Sequence, residues 1–260
     1  MYSIIDSLFI LLIPFLAVSF FLLMERFVFN YTARQKGRGM SILSIQILNV
    51  ILNIFLSSLI LVPLVFYSSL LQIYSFANMN APHYISLPLS FLFLDLVAYW
   101  HHRTHHQVPF LWRLHRLHHT DKEVDALTAF LHHPGEIITT FIVTIFFSVM
   151  FDVPLIVITS YALFVSIHAP FTHLHKLLPP RYDNFLKYVF VTPNYHLLHH
   201  SKNIEEGSSN YGLVFIFWDY LFGSYRAQGF KSLKLTKFGL PGHDKDDTVG
   251  LLNFLSHPFK

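Results

Sequence analysis

Leu92-Phe-Leu-Asp95-Leu-Val-Ala-Tyr99-Trp-His101-His102-Arg-Thr-His105-His106 decides the architecture, because an apolar run passes without a break into a cluster of histidines. Read backwards, the run starts near Tyr84, so Tyr84 to Trp100 approaches the roughly 20 residues that cross a bilayer. Seven and eleven residues are close to whole helical turns, so Asp95, His102 and His106 share one face of a helix. A carboxylate inside a membrane span is costly and reads as functional by default. Two further clusters follow, His115-Arg-Leu-His118-His119 and His196-Leu-Leu-His199-His200. Offsets of three and four residues fall within about 60° on a helix, so the imidazoles of a cluster can converge. Neutral imidazole is the commonest side-chain metal ligand and suits iron, zinc, copper and nickel. A structural zinc needs four ligands. His102, His106, His115, His118, His119, His196, His199 and His200 together imply two metal ions.

The rest of the chain agrees with a membrane setting. Of 260 residues, 53% are hydrophobic and only 13% charged, against about 25% charged in an ordinary soluble domain. Cysteine is absent, which excludes disulfides, thiolate-bound iron–sulfur clusters and cysteine-held zinc. A net charge of +3 is too small and dispersed for nucleic acid, and no nucleic-acid partner is expected. Met1 to Asp6 carry no Lys or Arg and no small-residue cleavage site follows, so the first apolar segment is expected to stay as an anchor.

Outward from the opening stretch, apolar segments run roughly from Ile4 to Leu23 and from Ile42 to Leu71, the second expected to kink or tilt at Pro63. Beyond the clusters, Ile137 to Phe151 and Leu155 to Ile167 form a hairpin turning at Asp152-Val153-Pro154. Both arms are short, so they either extend into flanking histidine-bearing helices or insert only partly. Arg26, Arg34, Lys36 and Arg38 lie between segments one and two. Arg103, Arg113, Arg116 and Lys122 lie between segments three and four, and the remaining Lys and Arg follow segment five. The N-terminus, the loop 72–83 and the hairpin turn hold none. By the positive-inside rule every basic loop is cytoplasmic, and the same assignment gathers all three clusters on that side.

The fold class that emerges is all-α: a polytopic membrane protein of about four to five segments under a cytoplasmic histidine-rich cap. Residues 1–83 are membrane helices, 84–226 the catalytic region, and 227–260 a cytoplasmic tail whose 249–259 stretch can lie in the interface. Asp95 suits a role beside the ligands, accepting the far N–H of a histidine and fixing its tautomer; Tyr99 lies near the same face. The alternative for Asp95 is an interfacial ion pair with a nearby Arg. His168 and His173 are candidates for a ninth or tenth ligand, with His168 ahead. His133, before Pro134 and Glu136, either supports a ligand or starts a helix. His101 and His105 point away from the Asp95 face and read as packing or surface residues.

The order of these motifs is recognisable. Asp95-x3-Tyr99-x2-His102-Arg-x2-His106 resembles the D-x3-Y-x2-HRxxH segment of the fatty acid hydroxylase/sterol desaturase superfamily. Val108-Pro-Phe-Leu-Trp112-Arg-Leu-His115-Arg-Leu-His-His119 is similar to its second box, and so is Asp125-Ala-Leu-Thr-Ala-Phe-Leu-His-His133-Pro-Gly-Glu136. Thr192-Pro-Asn-Tyr-His196-Leu-Leu-His-His200 looks like the third box, and Ser209-Asn210-Tyr-Gly212 and Trp218-Asp-Tyr-Leu-Phe-Gly-Ser-Tyr225 look like the family residues after it. The likeness covers Asp95 to Arg226. It departs at His168-Ala-Pro170, where many relatives carry His-Ala-Asn.

The resemblance implies two Fe ions on the eight box histidines, with zinc a substitute in purified material, and O2 as co-substrate. Asp95, Tyr99, His133 and Asn210 would support the ligands. The implied chemistry is hydroxylation or desaturation of a lipid C–H bond, in a sterol or fatty acyl chain. Electrons would come from a separate cytochrome b5, ferredoxin or reductase, in a bacterial inner membrane or endoplasmic reticulum. Substrate would arrive sideways from the bilayer, past Phe91, Phe93, Phe146, Phe147 and Phe164, for which lipid-facing or helix-packing roles are the alternative. Competing readings are a histidine-rich metal transporter, a haem-binding electron carrier and a zinc-dependent lipid hydrolase. A transporter calls for ionisable groups along several spans, whereas here only Asp95 lies within one. A haem protein wants single histidines rather than triplets, and a hydrolase wants a placed carboxylate base, for which Glu136 and Glu205 are candidates.

Overall fold

The computed structural model describes residues 4–31, 35–61, 75, 81–227, 229–242 and 249–260, and among these it is helical with no strand beyond two isolated bridges. Helix α1 spans Ile4–Phe27. Helix α2 spans Arg38–Leu56 and continues as a π turn over Ser57–Leu61. Helix α3 is His83–Gln107, α4 Pro109–His115, α5 Pro134–Met150 and α6 Leu155–Thr172. Shorter helices follow: α7 Pro180–Leu186, α8 Pro193–His199, α9 Ile204–Gly207, α10 Phe217–Leu221, α11 Phe230–Leu233 and α12 Leu251–Ser256.

Among the described residues, three helices are long and apolar enough to cross a membrane, Arg38–Ile60, His83–Gln107 and Leu155–Thr172, and α5 is a shorter apolar helix. The expected hairpin is there: α5 and α6 turn at Asp152, whose φ of 47° lets the chain reverse. Its second arm runs on through His168 to Thr172, so the apolar segment and its histidine form one rod. Segment two begins at Arg38, earlier than its first apolar residue, while Pro63 and the rest of that segment lie outside the described residues. α1 packs along α6, α2 and α3 along α5, and α3 along α6.

Proline at the first helical position starts α4, α5, α7 and α8, where its missing N–H costs nothing. Gly135 lets α5 approach α4 closely, since a Cβ there would stand 2.8 Å from Leu114 Cδ2. One apolar cluster joins Val18, Ile42, Ile45, Leu117, Phe130, Leu174 and Phe254, and so ties α1 and α2 to the second histidine cluster and to α12. A second cluster of Leu94, Val153, Val157, Tyr161 and Val214 clamps α3 and α6 together.

A buried ion-pair network reinforces the first cluster. Arg38, 4% exposed at the start of α2, bonds Asp121 and Asp125 through Nε and both terminal nitrogens, and donates to Thr128 Oγ1 at 3.0 Å. Glu25 accepts the His175 backbone N–H at 2.7 Å. Buried charges are tolerated when each is paired and fully hydrogen-bonded. Here the pairing fixes the loop that follows His118 and His119.

Candidate metal centre

The three clusters converge, although only part of each lies on one helix. His102 and His106 come from the last turns of α3. His115 ends α4, His118 and His119 occupy a 3-10 turn, His196 and His199 lie on α8, and His200 caps it. Among the described residues, two all-histidine groups have candidate ligand atoms within 4.8 Å of one another, His102, His106, His115, His119 and His199, and then His118, His173, His196 and His200; a third, mixed group is His115, His132 and Glu136. In the second group the Nε2 of His173 lies 3.1 Å from that of His118, 3.1 Å from that of His200 and 3.0 Å from that of His196. Those separations suit imidazoles at a common ion with metal–nitrogen distances near 2.0–2.1 Å.

The hydrogen bonds on the far side of the rings identify which nitrogen is free to ligate. Nδ1 of His102 faces the Tyr211 carbonyl at 2.8 Å, that of His173 the Ala169 carbonyl at 2.7 Å, and that of His199 the Ser209 carbonyl at 2.7 Å. A carbonyl only accepts, so each Nδ1 carries the proton and each Nε2 presents a lone pair. The Nε2 atoms of His106 and His199 are buried without a hydrogen-bond partner. Converging lone pairs repel one another unless a cation lies between them. Donor type, spacing and unpartnered nitrogens therefore all fit a pair of metal ions.

Burial, followed for most of them by the neighbouring imidazoles, holds His118, His119, His196 and His200 well below the usual histidine range. Burial brings His173 to about 4 and His199 to about 3, against the opposing pull of their carbonyl partners. All six are neutral at physiological pH and ready to ligate without first losing a proton.

Residues expected to support the ligands fall differently. The carboxylate beside the converging histidines is Glu136, which accepts from Nδ1 of His115 at 2.7 Å and lies 3.1 Å from Nδ1 of His132. Its negative charge outweighs burial and holds the His132 imidazole above its ordinary value. His132 also stacks on His118, with centroids 4.4 Å apart. Asp95 is fully buried and bonds neither a histidine nor an arginine. It accepts from Tyr161 Oη, the Val214 and Phe215 backbone N–H groups, and Trp218 Nε1. Helical phasing puts Asp95 on the His102 face, but it sits two turns away, where a loop comes down to meet it.

Tyr99 contacts Ser224 and Arg103, not a ligand ring. His133 is the cap of α5, accepting the Gly135 N–H, and its Nε2 meets the Leu255 carbonyl. His105 is buried, with its ring nitrogens on the His101 carbonyl and Thr139. His168 lies in neither group, whereas His173 lies in the second. Asn210 acts at one remove. In the left-handed region at φ 61°, its side chain bonds the Tyr195 carbonyl and both backbone groups of Arg226. It thereby fixes the Ser209 and Tyr211 carbonyls that orient His199 and His102. Nothing in the spacing of Glu136 or His132 signals their part; a carboxylate one helical turn after adjacent histidines is the available hint.

A cavity of about 430 Å³ lies between α3, α5 and α6. Leu94, Val97, Ile137, Ile158, Val165 and Leu213 line it, and so do His102 and His115 of one group and His118, His173 and His196 of the other. Phe91, Phe93, Phe146, Phe147 and Phe164 do not. Phe91 packs edge-on against Tyr161 and Phe164, and Phe93 against Phe147 and Phe151. A second, more polar cleft reaches His106 and His119 beside Trp112, Arg116 and Lys202.

Membrane-length apolar helices bearing groups of converging buried histidines beside an apolar cavity define a class: helical membrane proteins whose imidazoles could hold metal ions. The fatty acid hydroxylase family model matches residues 87–224, more than half of the chain, and the chain belongs to that family. It is 27% identical over 194 residues to the alkylglycerol monooxygenase of Danio rerio, covering 68% of this chain and 40% of that protein. It is 29% identical over 148 residues to the ornithine lipid hydroxylase OlsE of Rhizobium tropici (55% and 43%), and 27% over 155 residues to methylsterol monooxygenase 2-2 of Arabidopsis thaliana (59% and 57%). The chain thus spans about half the length of these relatives. No solved structure shows a significant likeness to it.

Proposed function

We propose that this protein is an O2-dependent lipid hydroxylase. In this reading the two histidine groups hold two iron ions, and an uncharged part of a lipid enters the cavity between α3, α5 and α6. The observation that carries it is that this one apolar cavity is walled by histidines of both groups. A metal-transport site would need a polar path through the bilayer, whereas Leu94, Val97, Ile137, Ile158 and Val165 make much of this cavity's wall beside its histidines. Three relatives whose names specify lipid oxygenation support the same reading. When bound, the irons would supply activation of dioxygen for attack on an unactivated C–H bond.

The chain's own part is positional. His102, His106, His115, His119 and His199 would hold one ion, and His118, His173, His196 and His200 the other. Glu136, accepting the His115 Nδ1 proton, fixes that ring and strengthens its donation. The Ser209, Tyr211 and Ala169 carbonyls do the same for His199, His102 and His173. Leu94, Val97, Ile158 and Val165 keep water from the reacting carbon and hold an alkyl chain by dispersion and burial. Electrons would come from a separate redox donor, with the polar cleft at His106, Trp112 and His119 giving the first group an opening to the surface.

We place the histidine groups on the cytoplasmic side, because every basic loop falls on their side of the spans. Residues 84–226 form the catalytic region under this reading. The test is lipid extraction from cells with and without the protein. Hydroxylation appears as a lipid heavier by one oxygen atom and desaturation as one lighter by two hydrogens. No lipid change in cells that contain the metal-loaded protein would overturn the assignment.

A further inference from the structure

We propose that residues 181–189, together with Tyr220 and Leu221, form an anchor seated at the boundary between the headgroups and the upper acyl chains of the bilayer on the histidine-bearing side. The cap is then held down on the membrane by its own surface as well as by the spans that carry it.

The first observation is an exposed aromatic face. Phe185 is 77% exposed and Tyr188 81%, and Tyr182, Val189, Tyr220 and Leu221 are exposed beside them. The face is continuous: Ile216 donates its backbone N–H to the Val189 carbonyl at 3.1 Å, and Tyr220 lies within electrostatic reach of Tyr188 and Lys187. So many solvated aromatic rings in a small area mark an interaction surface.

The second observation is depth. Phe190 pairs with Phe215, and Val191 donates to the Val214 carbonyl at 2.9 Å. Val214, Phe215 and Trp218 in turn bond Asp95. Asp95 stands in the middle of the 25-residue helix α3. That helix is about 37 Å long, exceeding a hydrocarbon core of about 30 Å by only about 7 Å. Even with the whole excess projecting on the histidine side, Asp95 lies about 10 Å inside the core boundary. The strands of backbone pinned to it are carried to the membrane with it. The chain then climbs to Phe222, which stacks on Tyr99 and Trp100, so Tyr220 and Leu221 come at the level between.

The third is charge. Arg181 and Lys187 flank the aromatic face, and Arg181 packs over the Tyr182 ring. The sole acid from 176 to 201 is Asp183, and its carboxylate is taken up by Thr192 Oγ1 at 2.6 Å. Tyrosine and phenylalanine with cations at their edge are the composition of a membrane–water interface. A lipid surface, and not an acidic protein, matches an aromatic face fixed at this depth.

The natural absence of cysteine makes the test direct. Single-cysteine variants Phe185→Cys and Tyr188→Cys carry an environment-sensitive fluorophore, with Leu235→Cys, 80% exposed in the tail, as reference. The proteins are reconstituted in phosphatidylcholine vesicles containing a minority of phosphatidylglycerol. The expected result is strong quenching at 185 and 188 by lipid spin-labelled on the upper acyl chain, several-fold above that at 235, with shielding from aqueous iodide. Iodide quenching at 185 and 188 equal to that at 235 would overturn the proposal. Far-ultraviolet circular dichroism confirms the fold of each variant, and Tyr182→Cys replaces either site if its variant fails to fold.

Discussion

Replacing Glu136 with Gln tests the account of the metal centre at the point where sequence and structure disagree. The substitution keeps size and one acceptor oxygen but removes the charge facing Nδ1 of His115 at 2.7 Å and of His132 at 3.1 Å. A charge-assisted hydrogen bond is roughly twice as strong as a neutral one. Loss of a carboxylate behind a ligating histidine typically costs about 10–100-fold in metal affinity or activity. Because His115 is one of five histidines in its group, the lower part of that range applies: about 10-fold, or about 1.4 kcal/mol. The assay is competition for iron between purified protein and a chelator of known affinity, at fixed pH. Asp95→Asn is the control, since Asp95 touches no ligand and should leave metal affinity within about twofold. Unchanged affinity in Glu136→Gln, or a 10-fold loss in Asp95→Asn, would refute the assignment of the supporting carboxylate.

Other outcomes follow from the same geometry. Arg38→Met leaves Asp121 and Asp125 buried without their cation and should destabilise by about 3–5 kcal/mol, read as a lowered melting temperature in detergent; an unchanged melting temperature would contradict the network's role. Asp95→Asn turns an amide towards donors that need an acceptor, at about 1–3 kcal/mol, and should increase protease cleavage in the 213–218 loop. His173→Ala should lose the ion of the second group while His168→Ala keeps its full metal load, as measured by elemental analysis; the reverse would restore His168 as the ninth ligand. The metal-free protein should lose stability as pH falls. Histidines such as His173 (about 4) and His199 (about 3) are neutral when folded, while unfolded ones take up protons near 6.5. Their contribution is complete above about 6.5 and shrinks progressively below it. A melting temperature that is flat or rises from pH 7 to pH 5 would contradict the burial of these rings.

The convergence of the eight box histidines is legible in the sequence because spacing of three and four residues is a local property that survives any tertiary arrangement. The membrane character and the hairpin at Asp152 are legible for the same reason, being set by composition and a turn. The structure adds what depends on distant segments. His173 joins the second group because α6 runs on past His168 and the chain turns at its end, so the nearer histidine to the span is not the one that reaches the centre. Phasing gives Asp95 a direction around its helix but not a height along it, and in the structure its carboxylate meets Tyr161, Trp218 and the 214–215 backbone instead of a histidine. Glu136 and His132 are visible only within the Asp125–Glu136 likeness and as a candidate base; their contacts with His115 and His118 are not, because these cross a loop of many residues. Asn210 stands out only through the motif around it; in the structure its side chain ties the Tyr195 and Arg226 backbones together beside the Ser209 and Tyr211 carbonyls.

The most direct measurement is iron per chain after reconstitution of purified protein, determined by elemental analysis alongside protein quantified by amino-acid composition. Two groups of converging histidines predict two irons per chain, falling markedly in His118→Ala and His199→Ala. Less than one iron per chain in the parent protein, or a full load in both variants, would contradict the central claim.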